Sequence, residues 1–176
     1  YLKDQGYHVF GSVRTPEDAA RLEKDLGGGF TALVFDVRNR IAVFAAADKV
    51  KQMMGTHYLS ALINNSGISV AGPLQHIDVE RFREQQEVNV IGVLNVLQAF
   101  LPLIGAVAHK TDKVGKVINI SSVGGRLARP FYGPYNASKH AVEGMTDALR
   151  RELLDHGIDA VVIEPGPIQS EIYEKA

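Results

Sequence analysis

Short apolar runs alternate along this chain with longer segments in which apolar residues recur at helical spacing. The short runs have strand length and few polar residues, and they occupy residues 8–13, 30–35, 59–64, 116–120 and 158–164. Between them the spacing predicts helices at about 15–26, 41–54, 78–103 and 134–156. Strands that are apolar throughout and separated by helices are typical of a parallel sheet covered on both faces.

The ends of the predicted helices carry start and stop signals. Thr15 and Pro16 form a helix start with proline in the first turn, and Gly157 takes the cap position after the last helix. One apolar stripe runs along that last helix, formed by Val142, Met145, Leu149 and Leu153. Right-handed crossovers then predict an α/β fold of three α/β/α layers around a doubly wound, Rossmann-like parallel sheet, with ligands beyond the carboxyl ends of the strands.

No repeat or linker divides the chain, so we expect residues 1–176 to form a single domain. Its first residues, Tyr1 to Gly6, are typical of the last turn of a helix with a glycine cap. The polar loop at 106–115 is expected to be a surface excursion, and residues 170–176 are expected to be helical. We therefore expect the domain to be truncated at both ends.

Composition removes several classes of function. The chain is 45% hydrophobic and 22% charged, with a net charge of -1, so nothing favours nucleic acid or an anionic membrane as a partner. The absence of cysteine excludes thiol catalysis and favours a cytoplasmic protein. No apolar run reaches the ~20 residues that span a bilayer, and the six histidines lack metal-type spacing. We expect no transmembrane segment and no metal.

The most reactive pattern is Tyr135 followed by Lys139. Residues i and i+4 share a helix face, so the phenol and the ammonium can lie side by side. A phenol has a pKa of about 10, and a neighbouring positive charge lowers it towards the range in which acid–base catalysis works. Taken alone, Tyr135 could merely anchor a helix N-terminus and Lys139 could be a solvated surface lysine.

Several further motifs stand at predicted strand or helix ends in a fixed order. They are Asn64-Asn65-Ser66-Gly67, Asn89, Ser122, Tyr135-x-x-x-Lys139 and Pro165-Gly166. In this order the chain resembles the short-chain dehydrogenase/reductase family over nearly its whole length, with serine where that family usually has alanine in Asn-Asn-Ala-Gly. The resemblance implies hydride transfer between a nicotinamide cofactor and a carbonyl compound or secondary alcohol.

The resemblance also implies roles for four catalytic residues. Tyr135 would exchange a proton with the substrate oxygen, Lys139 would favour the phenolate and hold the nicotinamide ribose, and Ser122 would hydrogen-bond the substrate oxygen. Asn89 would hold a water that links Lys139 to solvent, although an asparagine in an apolar helix can equally be a packing residue. Ser121 competes with Ser122, but the Val-Gly-Gly that follows favours Ser122.

Cofactor contacts are expected at several strand ends. The family's glycine-rich phosphate-binding turn would lie upstream of Tyr1. Arg14 and no carboxylate follow the first strand, which favours NADP over NAD unless Arg14 is only a surface charge. The remaining matches to the family's cofactor-contacting positions, besides Tyr135 and Lys139, are Asp36, Val37, Asn65, Gly67, Pro165, Gly166 and Ile168.

Substrate and assembly are less closely defined. The sequence segments at residues 147–153 and 163–166 are similar to those of steroid- and retinol-type dehydrogenases, but generic bacterial reductases also have such segments. Relatives pair through their two long helices, so we expect a homodimer or homotetramer and a small-molecule carbonyl or alcohol substrate. The alternative is a sensor or scaffold that binds the cofactor without turnover, because fold alone does not determine function.

Overall fold

Strands and helices alternate as the apolar pattern predicts. The structure, a computed structural model, describes residues 1–105 and 115–168. The strands are β1 Val9–Val13, β2 Phe30–Val34, β3 Ala61–Asn64, β4 Gly115–Ile120 and β5 Ile158–Ile163. The α-helices are α1 Pro16–Leu26, α2 Arg40–Met54, α3 Val79–Gln86, α4 Gly92–Phe100 and α5 Gly133–Glu152.

Short helical turns complete the architecture. A π-helical segment, Glu87–Ile91, joins α3 to α4, and 3-10 turns occupy Lys3–Gln5, Leu101–Leu103, Val123–Gly125 and Leu154–His156. The first of these turns ends at Gly6 with a φ of +87°, as the predicted glycine cap requires. The predicted surface loop before Gly115 and the predicted helix at 170–176 lie outside the described residues.

The sheet is parallel throughout, which confirms the predicted α/β fold, but it is not continuous. Among the described residues, β1 pairs only with β2, whereas β3, β4 and β5 form a second sheet in that order. Both sheets are parallel and have helices between their strands, in agreement with the predicted Rossmann-like α/β fold. The apolar pattern identifies each strand but contains no information on whether β1 and β3 hydrogen-bond to each other.

A common core holds the two sheets together. Its buried members come from β2, α2 and α4 and include Leu33, Val43 and Phe100. Phe10 of β1 and Leu62 of β3 pack against this same cluster, so apolar contact rather than strand pairing connects the sheets. A second core cluster lies between α4, β4, β5 and the end of α5; Leu153 is buried in it and Leu149 packs against it, which confirms the predicted stripe on α5.

The helical stretch Val79–Leu103 is long and apolar enough, by length and composition alone, to cross a membrane. That is weak support for a span, because a core helix of an α/β domain passes the same test. Val96 and Phe100 belong to the first core cluster, and Val93 and Leu97 to the second. The prediction that the chain has no transmembrane segment stays a prediction.

Candidate active site

The site begins where β4 and β5 end side by side. Their parallel register pairs Ile120 with Ile163, so the segments that follow both strands leave the sheet together. The Ser121 amide donates to the Ile163 carbonyl at 2.8 Å, and the Val123 amide donates to the Pro165 carbonyl at 3.0 Å. These backbone hydrogen bonds fix the serine-bearing turn against the segment after β5.

The two adjacent serines have different environments. Ser121 is buried, and its hydroxyl donates to the carbonyl of Lys139 at 3.4 Å. Ser122 is only half-buried; its hydroxyl accepts from the Gly124 amide at 3.1 Å and lies 3.5 Å from the Pro165 carbonyl. Ser122 is therefore the more accessible of the two serines, and it is the one that the sequence analysis selects as the catalytic candidate.

Tyr135 and Lys139 lie together on the first turns of α5. The ammonium nitrogen of Lys139 lies 5.6 Å from the centre of the Tyr135 ring, within the range of a cation–π contact. The i, i+4 spacing therefore brings phenol and ammonium together as the sequence indicates. Tyr135 is half-buried, whereas Lys139 is only 6% exposed.

Lys139 is an unusually situated lysine. Its ammonium donates to the carbonyl of Ile120 at 2.8 Å, at the end of β4. Burial lowers its pKa from 10.5 to about 8, because water no longer solvates the charged form, and the nearby Glu143 carboxylate opposes this shift. At neutral pH the ammonium form therefore still predominates beside Tyr135.

Asn89 lies in the π-helical segment and uses its side chain to hold a backbone loop. Its Oδ1 accepts from the Ile68 amide at 2.9 Å, and its Nδ2 donates to the Ile68 carbonyl and to the Ser138 hydroxyl, both at 3.0 Å. The side-chain amide thus joins the loop after β3 to α5. Its polar atoms are satisfied by protein groups, so the structure gives this side chain a packing and positioning role; the predicted water-holding role stays a prediction.

Gln85, which sequence reasoning did not select, binds the same loop one helical turn earlier. Its Oε1 accepts from the Val70 amide and its Nε2 donates to the Ile68 carbonyl, both at 2.6 Å. The side chain is completely buried. Two amides on one helix therefore fix the backbone that follows Gly67, and their spacing of four residues was the signal that could have found the pair.

A small cavity of about 210 Å³ opens beside the catalytic candidates. It is lined by Ser122, Val123, Gly124, Arg129, Tyr132, Tyr135, Asn136, Gly166 and Pro167. A second, more open cavity of about 710 Å³ adjoins it and shares Arg129 and Asn136 with it. Ser122 and Tyr135 therefore line one small chamber, and a larger surface depression beside it includes the apolar side chains of Leu74 and Phe131.

Beneath the site a buried chain of polar side chains links β3, β4 and α5. Asn64 Nδ2 donates to Asn119 Oδ1 at 2.8 Å, and Asn119 Nδ2 donates to the Thr146 hydroxyl at 2.8 Å. That hydroxyl in turn donates to the Val142 carbonyl at 2.7 Å. Asn119 and Thr146 are completely buried, so these hydrogen bonds fix α5 against the sheet.

The predicted nucleotide end lies at the other sheet. Arg14 directly follows β1, is exposed, and makes no hydrogen bond or ion pair within the described residues. Asp36 accepts hydrogen bonds from the backbone and side chain of Arg38, which hold the pKa of its carboxyl below the usual range. Val37 is buried in the first core, and its carbonyl accepts from Asn95 at 3.0 Å. Arg38 is the neighbour that sequence reasoning missed here.

The other predicted cofactor positions are open to solvent to different degrees. Asn65 and Gly166 are exposed, Pro165 is half-buried, and Ile168 is 60% exposed. Gly67 faces the site directly: a Cβ built on it would lie 3.4 Å from Asn89 Oδ1 and 3.9 Å from Lys139 Nζ. Within the described residues, no group of three histidine, aspartate or glutamate side chains is arranged to hold a metal.

Parallel strands, flanking helices and a polar site at the strands' carboxyl ends define the class of Rossmann-like α/β domains. The family model for short chain dehydrogenases matches residues 1–176. The chain therefore belongs to the short-chain dehydrogenase/reductase family.

Relatives and solved structures agree with this assignment. An NADPH-dependent 3-dehydrocapnine reductase from Ornithobacterium rhinotracheale is 46% identical over 172 residues, covering 98% of this chain and 60% of that protein. Dehydrogenase/reductase SDR family member 9 from Bos taurus is 36% identical over 171 residues, 97% of this chain and 51% of that protein. The chain thus spans between half and about three-fifths of the length of these curated relatives.

Among solved structures, a gluconate 5-dehydrogenase from Burkholderia cenocepacia J2315, in complex with NADP and tartrate, superposes with a TM-score of 0.85. It is 33% identical, and the match covers 97% of this chain and 66% of that chain. The Rossmann-like fold predicted from the sequence is confirmed by this match.

Proposed function

We propose that this chain forms the catalytic part of an oxidoreductase that transfers a hydride between NADP(H) and a carbonyl compound or secondary alcohol. One observation carries the proposal: the side chains of Ser122 and Tyr135 line a single small cavity, and the Lys139 ammonium lies against the Tyr135 ring. That cavity therefore offers a hydrogen-bond donor and a proton donor to one substrate oxygen.

The bound nicotinamide would supply a hydride for reduction or accept one for oxidation. During reduction, the Tyr135 phenol gives its proton to the carbonyl oxygen as the carbon receives the hydride, so an alcohol forms and a phenolate remains. The Lys139 ammonium stabilises that phenolate electrostatically, and the Ser122 hydroxyl donates a hydrogen bond to the reacting oxygen. Oxidation of an alcohol reverses each proton movement.

The described residues fit an NADP(H) molecule at both ends of the site. Gly67 places backbone without a side chain beside Asn89 and Lys139, and a Cβ there would be in van der Waals contact with Asn89. This open backbone suits a close approach of the cofactor to the nicotinamide end of the site. Arg14 offers an exposed guanidinium after β1, close enough to Asp18 and Asp36 to help lower the pKa of both carboxyls. A guanidinium at this position suits the 2′-phosphate of NADP rather than the 2′-hydroxyl of NAD. A relative named as NADPH-dependent and a solved neighbour in complex with NADP support the same choice.

We propose a small-molecule substrate, a homodimeric or homotetrameric assembly and a cytoplasmic location for the whole protein. A cysteine-free chain suits a reducing compartment. The named relatives include reductases and dehydrogenases, which supports a small carbonyl or alcohol substrate. Light scattering coupled to size exclusion would measure the assembly directly.

The decisive experiment is Tyr135→Phe in the full-length protein. Loss of the phenolic proton should lower the turnover number for NADPH-dependent carbonyl reduction by about 10²–10⁴-fold, measured by the decay of NADPH absorbance. Tyr58→Phe is the matched control, because Tyr58 is 61% exposed and precedes β3 at the opposite edge of the sheet. Near wild-type turnover in Tyr135→Phe would contradict the mechanism. Tight NADPH binding without turnover across a broad carbonyl panel would instead indicate a cofactor-binding sensor.

A further inference from the structure

One buried carboxylate near the site has no role in the reaction described above. Glu143 is 5% exposed, and neither of its carboxylate oxygens has a hydrogen-bond partner within the described residues. Its nearest opposite charge is the Arg126 guanidinium, at 3.1 Å from Oε2. A buried carboxylate is costly unless a charge or a hydrogen-bond donor compensates it. We infer that Glu143 is a positioning residue for proton transfer, whose negative charge keeps the neighbouring Lys139 ammonium protonated beside Tyr135.

The placement of the three groups on α5 supports this role. Tyr135, Lys139 and Glu143 follow one another at intervals of four residues, so they share one face of the helix. Lys139 therefore has the phenol one turn before it and the carboxylate one turn after it. This inference rests on the proposed oxidoreductase function, because it assigns a role within that function's proton transfer.

The turn that follows Ser122 packs closely against the Glu143 carboxylate. A Cβ built on Gly125 would lie 3.0 Å from Glu143 Oε1 and 2.6 Å from the Ser121 hydroxyl oxygen. A side chain at this position would have to displace the Ser121 hydroxyl or the Glu143 side chain, so the backbone after β4 lies close to Glu143. The carboxylate is thereby shielded from water, and shielding strengthens its attraction for nearby cations.

Arg126 holds Glu143 from the solvent side and also pairs with Glu164, at 3.0 Å. The two carboxylates thus share one cation, but only Glu143 acts on Lys139: it is the charged group that raises the lysine's pKa against the effect of burial. The Lys139 ammonium also contacts two groups without a formal charge, the Tyr135 ring at 5.6 Å and the Ile120 carbonyl at 2.8 Å. Asp147 lies one turn further on, where it acts on Arg126 and pairs with Arg150.

The experiment compares Glu143→Gln with Glu164→Gln in the full-length protein. Both variants remove one carboxylate from Arg126, so a merely structural effect of that ion pair would appear in both. We measure kcat/KM for carbonyl reduction against pH. In Glu143→Gln only, the decline of kcat/KM at high pH should begin about one pH unit lower than in wild type. Activity should be largely recovered at pH 6, where Lys139 is protonated even without Glu143. Glu143→Asp, which keeps the charge, should retain a profile close to wild type.

Two further measurements test the effect of Glu143 on Lys139 if the first variant is unstable or inactive. If Glu143→Gln fails to fold, Glu143→Met takes its place, because it removes the charge with an apolar side chain of similar length. Glu143→Met should lower the pH of the high-pH limb of kcat/KM by the same amount. NMR titration of Lys139 labelled by ¹³C reductive methylation reports the same pKa decrease without any turnover. A wild-type protein with no activity would refute the proposed function, whereas an unchanged Lys139 titration in Glu143→Gln would overturn this inference alone.

Discussion

The two ends of the site are held by different kinds of interaction. At the proton-transfer end, between β4 and α5, the polar groups are buried and bind backbone carbonyls or one another, as Lys139 does with Ile120 and Asn119 with Thr146. At the nucleotide end, beyond β1 and β2, Arg14 is exposed and Asp36 pairs with a partly exposed Arg38. Substitutions at the first end should therefore change stability and chemistry together, whereas those at the second should change cofactor affinity almost alone.

Lys139→Met should have the largest effect at the proton-transfer end of the site. Turnover should fall by about 10²–10⁴-fold, because the charge that stabilises the phenolate is lost. Stability should increase instead. The folded-state pKa of about 8 lies below the ordinary lysine value of 10.5. The buried ammonium therefore opposes folding below pH 8, and this penalty fades as the pH rises towards 10.5.

The stability measurement is urea unfolding of wild type and Lys139→Met at pH 7 and pH 10. The variant should be more stable by about 1–3 kcal/mol at pH 7, with part of the gain offset by the lost hydrogen bond to Ile120. The difference should narrow at pH 10. Lys116→Met serves as the control, since Lys116 is an exposed lysine paired with Asp159. A Lys139→Met variant that is less stable than wild type at pH 7 would show that burial of the ammonium is not the dominant cost.

Arg14→Ala, at the nucleotide end, should change cofactor affinity with little change in stability. Losing a charge-assisted contact of about 1.5–3 kcal/mol predicts a 10- to 100-fold rise in KM for NADPH, with little change in KM for NADH or in the unfolding midpoint. Steady-state kinetics with both cofactors would measure it. Arg151→Ala, an exposed arginine on α5, is the control. Equal effects on NADPH and NADH would mean that Arg14 does not read the 2′-phosphate.

The smallest expected effect concerns stability without chemistry. Asn119→Ala removes the acceptor of the buried Asn64 amide and one of the two hydrogen bonds of the Thr146 hydroxyl, which keeps its bond to the Val142 carbonyl. It should lower the free energy of unfolding by about 1–3 kcal/mol. Asp159→Asn, which breaks the exposed ion pair with Lys116, should cost less than about 1 kcal/mol. Chemical denaturation of both variants tests the contrast. Equal losses would remove the distinction between buried and exposed polar contacts on β4 and β5.

Local spacing was enough to predict the elements and the central pair of the site. The interval of four residues brought Tyr135 and Lys139 to one helix face, and the glycines after Ser122 distinguished it from Ser121. Features that depend on contacts between distant segments of the chain were predicted less well from the sequence. It gave no indication that the acceptor of Lys139 is a backbone carbonyl, because any residue at position 120 would provide one.

The same reason explains what was missed. Glu143 and Arg126 come from segments that only the fold brings together, and a charged residue on a helix is ordinarily a solvated one. The division of the strands into two sheets likewise depends on which strands reach each other, whereas the apolar pattern predicts only where each strand lies along the chain. Local periodicity therefore predicts the elements better than their partners.

The π-helical segment gives the long helix one position at which its length can change. The Gly92 amide donates to the Glu87 carbonyl, five residues earlier, so this turn holds one residue more than an α-helical turn. Deleting one residue within 87–91 would convert it to an α-helical turn and leave the faces of α3 and α4 in nearly the same register. Deleting one residue from the regular turns of α4 would instead rotate α3 by about 100° relative to the rest of α4, and Gln85 would move away from the loop after Gly67. A deletion of one residue should therefore be tolerated better at this junction than in the regular helix beside it.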